Sequence, residues 1–176
     1  MATIHTFGIL KQKWQHKMEI AIIAALSENY VIGKNGKIPW KIPEDLKRFR
    51  ELTLNNAVIM GRKTYESVGK PLNKRLNIVL TTNFDFKAEG VIVCHNLEEA
   101  LKAAQTNTTA YVIGGEKVYR DFIPLATRLE LTHVHSVVDG DTFFPKFNAE
   151  EWEKNHIQEI YEGGTLLYSF VRYRRK

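Results

Sequence analysis

The sequence predicts an α/β domain, with one mostly parallel central sheet, helices on both faces and a C-terminal antiparallel hairpin. Three observations predict it. Short continuous apolar runs alternate with helical stretches as far as residue 134, the pattern of strands covered on both faces by crossover helices. The chain of 176 residues, 44% hydrophobic and 26% charged, has the size and composition of one globular domain. Beyond Pro145 the alternation gives way to two longer segments around Gly163-Gly164, the mark of a hairpin at the sheet edge.

Taken in order, Ile20-Ala21-Ile22-Ile23-Ala24-Ala25-Leu26 is short and wholly apolar, as a strand buried on both faces would be. Residues 27–37 carry Gly33 and Asn35-Gly36, so a long mobile loop is expected there. Pro43 suits the first turn of a helix over residues 43–54, whose positive end Glu44 and Asp45 would complement. Runs at 57–60, 77–81, 91–93, 110–113 and 129–134 are expected strands, and 63–68, 97–104 and 116–122 the helices among them. The hairpin strands are expected over 152–161 and 166–173, the second packing one face on the core. In such a sheet, ligands bind beyond the carboxyl ends of the strands.

The formal charge is +5 and the pI near 9.2, but the excess lies at the ends. Lys11, Lys13, Lys17, Arg172, Arg174, Arg175 and Lys176 together carry +7, so residues 18–171 carry −2. A basic face for nucleic acid is therefore not expected. No run approaches the ~18 apolar residues of a membrane span, so no membrane partner is expected either. Residues 1–17 read as an extension, expected to be disordered, ahead of a domain over 18–176. The lone Cys94 follows an apolar run and is expected to be a buried, inert thiol in a cytoplasmic protein, with a monomer as the default.

Three constellations carry chemistry. In Val58-Ile59-Met60-Gly61-Arg62-Lys63-Thr64 a strand runs into a helix start bearing a hydroxyl and two cations; in Val112-Ile113-Gly114-Gly115-Glu116 paired glycines precede another helix. Either turn could serve a purely steric need, yet two of them suit a ligand with two phosphate positions. Neither is a Rossmann fingerprint or a P-loop. Arg62 could clamp a phosphate monoester bidentately or be a solvated surface arginine. The third is Pro39-Trp40-Lys41-Ile42-Pro43-Glu44-Asp45-Leu46 with Phe49. Asp45 and Phe49 lie four apart on one helical face, an acid and an aromatic suited to a flat ring with amino donors, although a first-turn acid can equally be a dipole partner. His133 and His135 alternate with Thr132 and so face away from it; with no third ligand nearby, no metal is expected.

Together these segments resemble one family, dihydrofolate reductase, from residue 19 to the end. Ile23-Ala24-Ala25, Ile38-Pro39-Trp40, Pro43-x-Asp45-Leu46, Met60-Gly61-Arg62-x-Thr64, Ile113-Gly114-Gly115 and Leu131-Thr132-His133 occur in that order. The resemblance implies NADPH-dependent reduction of 7,8-dihydrofolate to 5,6,7,8-tetrahydrofolate for one-carbon metabolism, and antifolates as ligands. It implies that Asp45 grips the pterin, that Thr132 hydrogen-bonds the same carboxylate and that Trp40 holds a water nearby. Ile23, Ala25, Phe49 and Ile113 would line the pterin site, while Leu72 would pack on the benzoyl ring and Arg75 would meet the glutamate α-carboxylate. Thr64, Gly114, Gly115 and Lys117 would meet the cofactor diphosphate, and Arg62 with Thr82 its 2′-phosphate. Ala25, Ile32, Gly33, Gly61, Lys63, Thr81, Ile113, Glu116 and Val118 would complete the cofactor site, with Tyr119 near the nicotinamide. The Gly114–Gly115 bond would be cis. A reductase of the same fold acting on another heterocycle has no evident need of Asp45 beside Trp40, and a non-catalytic binder has none for the full pocket set.

Overall fold

The computed structural model describes residues 8–10 and 18–176. An eight-stranded sheet has the order β5-β4-β3-β6-β1-β7-β10-β9, and a two-stranded sheet pairs β2 with β8. The strands are β1 (Glu19–Ser27), β2 (Val31–Gly33), β3 (Ala57–Gly61), β4 (Leu76–Leu80), β5 (Ile92–Cys94), β6 (Thr109–Gly114), β7 (Arg128–Val134), β8 (Thr142–Phe143), β9 (Trp152–Glu162) and β10 (Thr165–Arg175). Among the described residues from 18 onward, four α-helices lie between strands, α1 (Pro43–Thr53), α2 (Arg62–Val68), α3 (Leu97–Ala104) and α4 (Glu116–Phe122). The six strands from β5 to β7 pair in parallel, and β10 and β9 close the sheet antiparallel.

The alternation of strand residues sorts the core onto two faces. Ala21 and Ile23 of β1 join Val58, Met60 and Tyr111 under Phe49 and Leu52 of α1 and Tyr65 of α2. Ile20, Ile22, Ala24 and Leu26 point the other way, toward Leu101 of α3 and Phe122 of α4. Helices therefore cover both faces, and Ile22 and Leu129 are fully buried, each such side chain contributing about 1.5–3 kcal/mol.

Two expectations change. Residues 27–37 are not one free loop: β2 pairs with β8, the Asn35 amide donates to Asp141 at 2.7 Å, and Lys34 pairs with Asp139 at 2.5 Å. Their partners stand 105 and 106 positions further along the chain, beyond the reach of any local pattern. In β10 both faces are covered rather than one, since Tyr168 and Phe170 on one face and Ser169, Val171 and Tyr173 on the other are all buried. Cys94 is buried and free. Most of the 1–17 extension lies outside the described residues; of its described part, Leu10 is buried with the α3/α4-side core.

Candidate active site

Asp45 stands in the first turn of α1, where Pro43 starts the helix and no side chain caps it. The opposite wall is β7, whose register sets Thr132 beside Ala25 of β1. Thr132 is buried, and its hydroxyl donates to Asp45 Oδ1 at 2.5 Å. Burial pushes the Asp45 carboxyl above the usual carboxylate range, against the pull of the Thr132 hydrogen bond and the nearby Arg48 cation. The acid thus sits half-buried at an apolar wall, poised to take up a partner bearing protons.

Ile23, Phe49, Leu72 and Ile113 gather in one apolar cluster on this α1 side. Trp40 is half-buried and lines a shallow groove with Glu44 and Tyr168. Arg75 is half-buried with its guanidinium 5.9 Å from the Phe49 ring, and its Nε is buried without a hydrogen-bond partner. An unsatisfied guanidinium nitrogen beside an aromatic ring is suited to an incoming carboxylate. Asn77, not singled out by the sequence reading, positions this wall. From inside β4 its side chain accepts from the Leu72 amide at 2.9 Å and donates to the carbonyls of Leu72 and Arg75 at 2.9 and 3.0 Å. Its only signal was a polar residue within an apolar run.

The two glycine junctions come together. Gly61 caps α2 and Gly115 caps α4, neither helix start being closed by a side chain. A Cβ placed on Gly61 would lie 3.9 Å from the Gly115 nitrogen, so the two sets of unbonded N–H groups adjoin. Thr64 presents its hydroxyl there, 3.4 Å from where a Gly115 Cβ would be. The Gly114–Gly115 peptide is cis. Gly114 has φ +114°, and a Cβ on it would lie 3.1 Å from the Tyr119 ring, so only glycine fits without displacement. Buried Val118 packs against Gly61, and buried Tyr119 donates its hydroxyl hydrogen to the Ile23 carbonyl at 2.9 Å.

Parallel pairing of Gly61 with Leu80 sets Thr81 near Arg62, and the Thr81 carbonyl accepts from His95 Nδ1 at 2.9 Å. Arg62 opens α2 and pairs with Glu66 at 2.6 Å. Thr82, Lys63 and Lys117 are exposed, Lys117 pairing with Asp121 and Glu116 with Arg120 inside α4. Ile32 and Gly33 are half-buried in β2. His133 and His135 contact Tyr173 and Ser169, away from Asp45.

A doubly covered parallel sheet with two adjoining helix starts is the arrangement of an α/β enzyme, a class in which ligands bind beyond the carboxyl ends of the strands. The profile of the family described as "Dihydrofolate reductase" matches residues 19–175. The dihydrofolate reductase of Haemophilus influenzae is 45% identical over 77% of this chain and 84% of its own, and that of Neisseria gonorrhoeae 40% identical over 90% and 99%. A solved structure, dihydrofolate reductase from Enterococcus faecalis complexed with NADP(H) and RAB-propyl, superposes with TM-score 0.83 at 39% identity, covering 90% of this chain and 97% of the other. The chain belongs to the dihydrofolate reductase family.

Proposed function

We propose that this chain reduces 7,8-dihydrofolate to 5,6,7,8-tetrahydrofolate, with Asp45 as the group that holds and polarises the pterin. The observation that carries this reading is the Asp45 carboxylate, raised in pKa by burial and oriented by Thr132 against an apolar wall. NADPH, when bound, supplies the hydride, while the substrate nitrogen takes a proton from water. The residues present fit that cofactor, since adjoining uncapped helix starts at Gly61 and Gly115, with the Thr64 hydroxyl, offer several donors to a diphosphate. Arg62 is placed to meet a 2′-phosphate, for which it must exchange its pairing with Glu66.

The protein's part is positioning and electrostatics. Asp45 accepts the ring N–H and 2-amino donors of the pterin and favours its protonated form. Thr132 fixes the carboxylate plane, and Trp40 orients the water near it. Ile23, Phe49 and Ile113 exclude bulk solvent, while Leu72 and Arg75 receive the benzoyl-glutamate end. No histidine contacts Asp45 among the described residues, and the buried Tyr119 hydroxyl is committed to the Ile23 carbonyl, so water is the proton donor in this reading. Purified protein should consume NADPH, followed by its absorbance, only when dihydrofolate is added. Absence of turnover with dihydrofolate would refute the reading.

A further inference from the structure

Behind Asp45 lies a carboxylate that the pterin reading leaves unused. Glu130 of β7 has no exposed surface, yet it meets three arginines: Arg48 of α1, Arg172 of β10 at 2.6 Å, and Arg128 at 3.4 Å. Arg128 is shared with Glu19, which also pairs with Arg174. Glu130 and Thr132 are alternate residues of one strand and share a face. Asp45 and Arg48 are three apart on α1 and share a face too. The helix is therefore held at two points, Thr132 on Asp45 and Glu130 on Arg48.

The pairing that does not form is informative. An acid and an arginine three apart on a helix are near enough to pair with each other. Here the Arg48 guanidinium turns to Glu130, lying 5.0 Å from the Phe170 ring, and Asp45 makes no ion pair among the described residues. We infer that Glu130 is a positioning residue that diverts Arg48, so that the Asp45 carboxylate stays open to the pterin. The inference rests on the reading of Asp45 as the pterin carboxylate.

A guanidinium on Asp45 would occupy the oxygens the substrate needs and hold the acid ionised further into the acid range. The other titratable groups facing Asp45 are the hydroxyls of Tyr119 on α4 and Tyr168 on β10, with Glu44 beside Tyr168; Arg48 faces Glu130 and Arg172. Glu44, four positions before Arg48 on α1, is a second acid within reach of that guanidinium, so each variant below is also made in an E44Q background, where Asp45 is the acid left on that face.

The test is E130Q, alone and combined with R48M, read by steady-state kinetics across pH. In E130Q made in the E44Q background, Arg48 falls back on Asp45. KM for dihydrofolate should rise roughly threefold or more, as expected for displacing a partly exposed ion pair, with KM for NADPH unchanged. The acid-side midpoint of kcat/KM should move to lower pH. Adding R48M should return both quantities to those of R48M alone, which a merely structural loss would not do. E130D, which shortens the reach of the carboxylate, carries the same comparison if E130Q does not fold. An unchanged KM in the folded variant, or a raised KM that R48M does not relieve, overturns the inference. Measured alongside, D45N separates the two readings. Near-native turnover in D45N removes Asp45 itself, whereas lost turnover in D45N with a silent E130Q removes only the role of Glu130.

Discussion

Replacing Asp45 by asparagine keeps the size of the side chain and an oxygen to accept from Thr132, now at 2.5 Å, but removes the negative charge. What is lost is a charge-assisted contact to a pterin that becomes cationic as it is reduced, worth about 1.5–3 kcal/mol, or about tenfold to a hundredfold in kcat/KM at neutral pH. NADPH affinity should stay near native, because the glycine junctions that meet the cofactor lie on α2 and α4. As pH falls, more substrate arrives already protonated, so the variant should regain activity toward acid. Stability should move the other way. Burial raises the Asp45 pKa in the folded protein above its unfolded value, so the protonated acid favours folding at low pH, and that benefit is lost as pH rises through the folded pKa. The asparagine cannot ionise, so it should melt above the native protein at neutral pH, the gap closing toward acid. Steady-state NADPH absorbance assays and melting curves across pH read both effects. Near-native kcat/KM at neutral pH would refute the assignment of Asp45, and a lower neutral melting temperature would refute the argument from burial.

Four further outcomes follow from the geometry. Arg62→Ala should weaken NADPH far more than NADH while leaving Tm nearly unchanged, because the Arg62–Glu66 pair is exposed and contributes at most about 1 kcal/mol; equal losses for both cofactors would count against a 2′-phosphate contact. Gly114→Ala should cost about 1–3 kcal/mol and weaken cofactor binding, since φ is +114° and the new methyl meets the Tyr119 ring at 3.1 Å; native Tm and NADPH affinity would show that the junction tolerates a side chain. Burial, with Lys154 and His135 nearby, lowers the His133 pKa from 6.5 to about 4, so the unfolded chain takes up a proton first and stability falls as pH drops from 6.5 toward 4. His133→Gln should remove up to about 3 kcal/mol of that loss, and an unchanged acid-unfolding curve would place the loss elsewhere. Leu10→Ala should lower Tm by a few degrees without changing KM, because Leu10 is 8% exposed in the core; an unchanged Tm would mean that its packing contributes nothing.

The sequence by itself determined what depends on neighbours along the chain. The apolar runs at Ile20 to Leu26 and Val58 to Met60 had to be strands covered on both sides, and Pro43 with its acids had to start a helix. The order of short motifs was enough for the family, because each motif is a short local segment of strand, turn or helix start. Tertiary structure alone decided which distant groups meet. The sheet order brings Gly61 against Gly115, and the register of β7 on β1 sets Thr132 opposite Asp45. Asn77 and Glu130 were unreadable beforehand because a polar residue in an apolar run has no meaning until its partners are known. For Asn77 these are the turn at Leu72 and Arg75, and for Glu130 three arginines from three elements. Residues 27–37 were misread for the same reason, since the β8 strand and the acids Asp139 and Asp141 that tie them down come more than a hundred positions later. Local pattern records the preference of a backbone segment, whereas pairing, burial and charge compensation are properties of contacts that exist only once the sheet has closed.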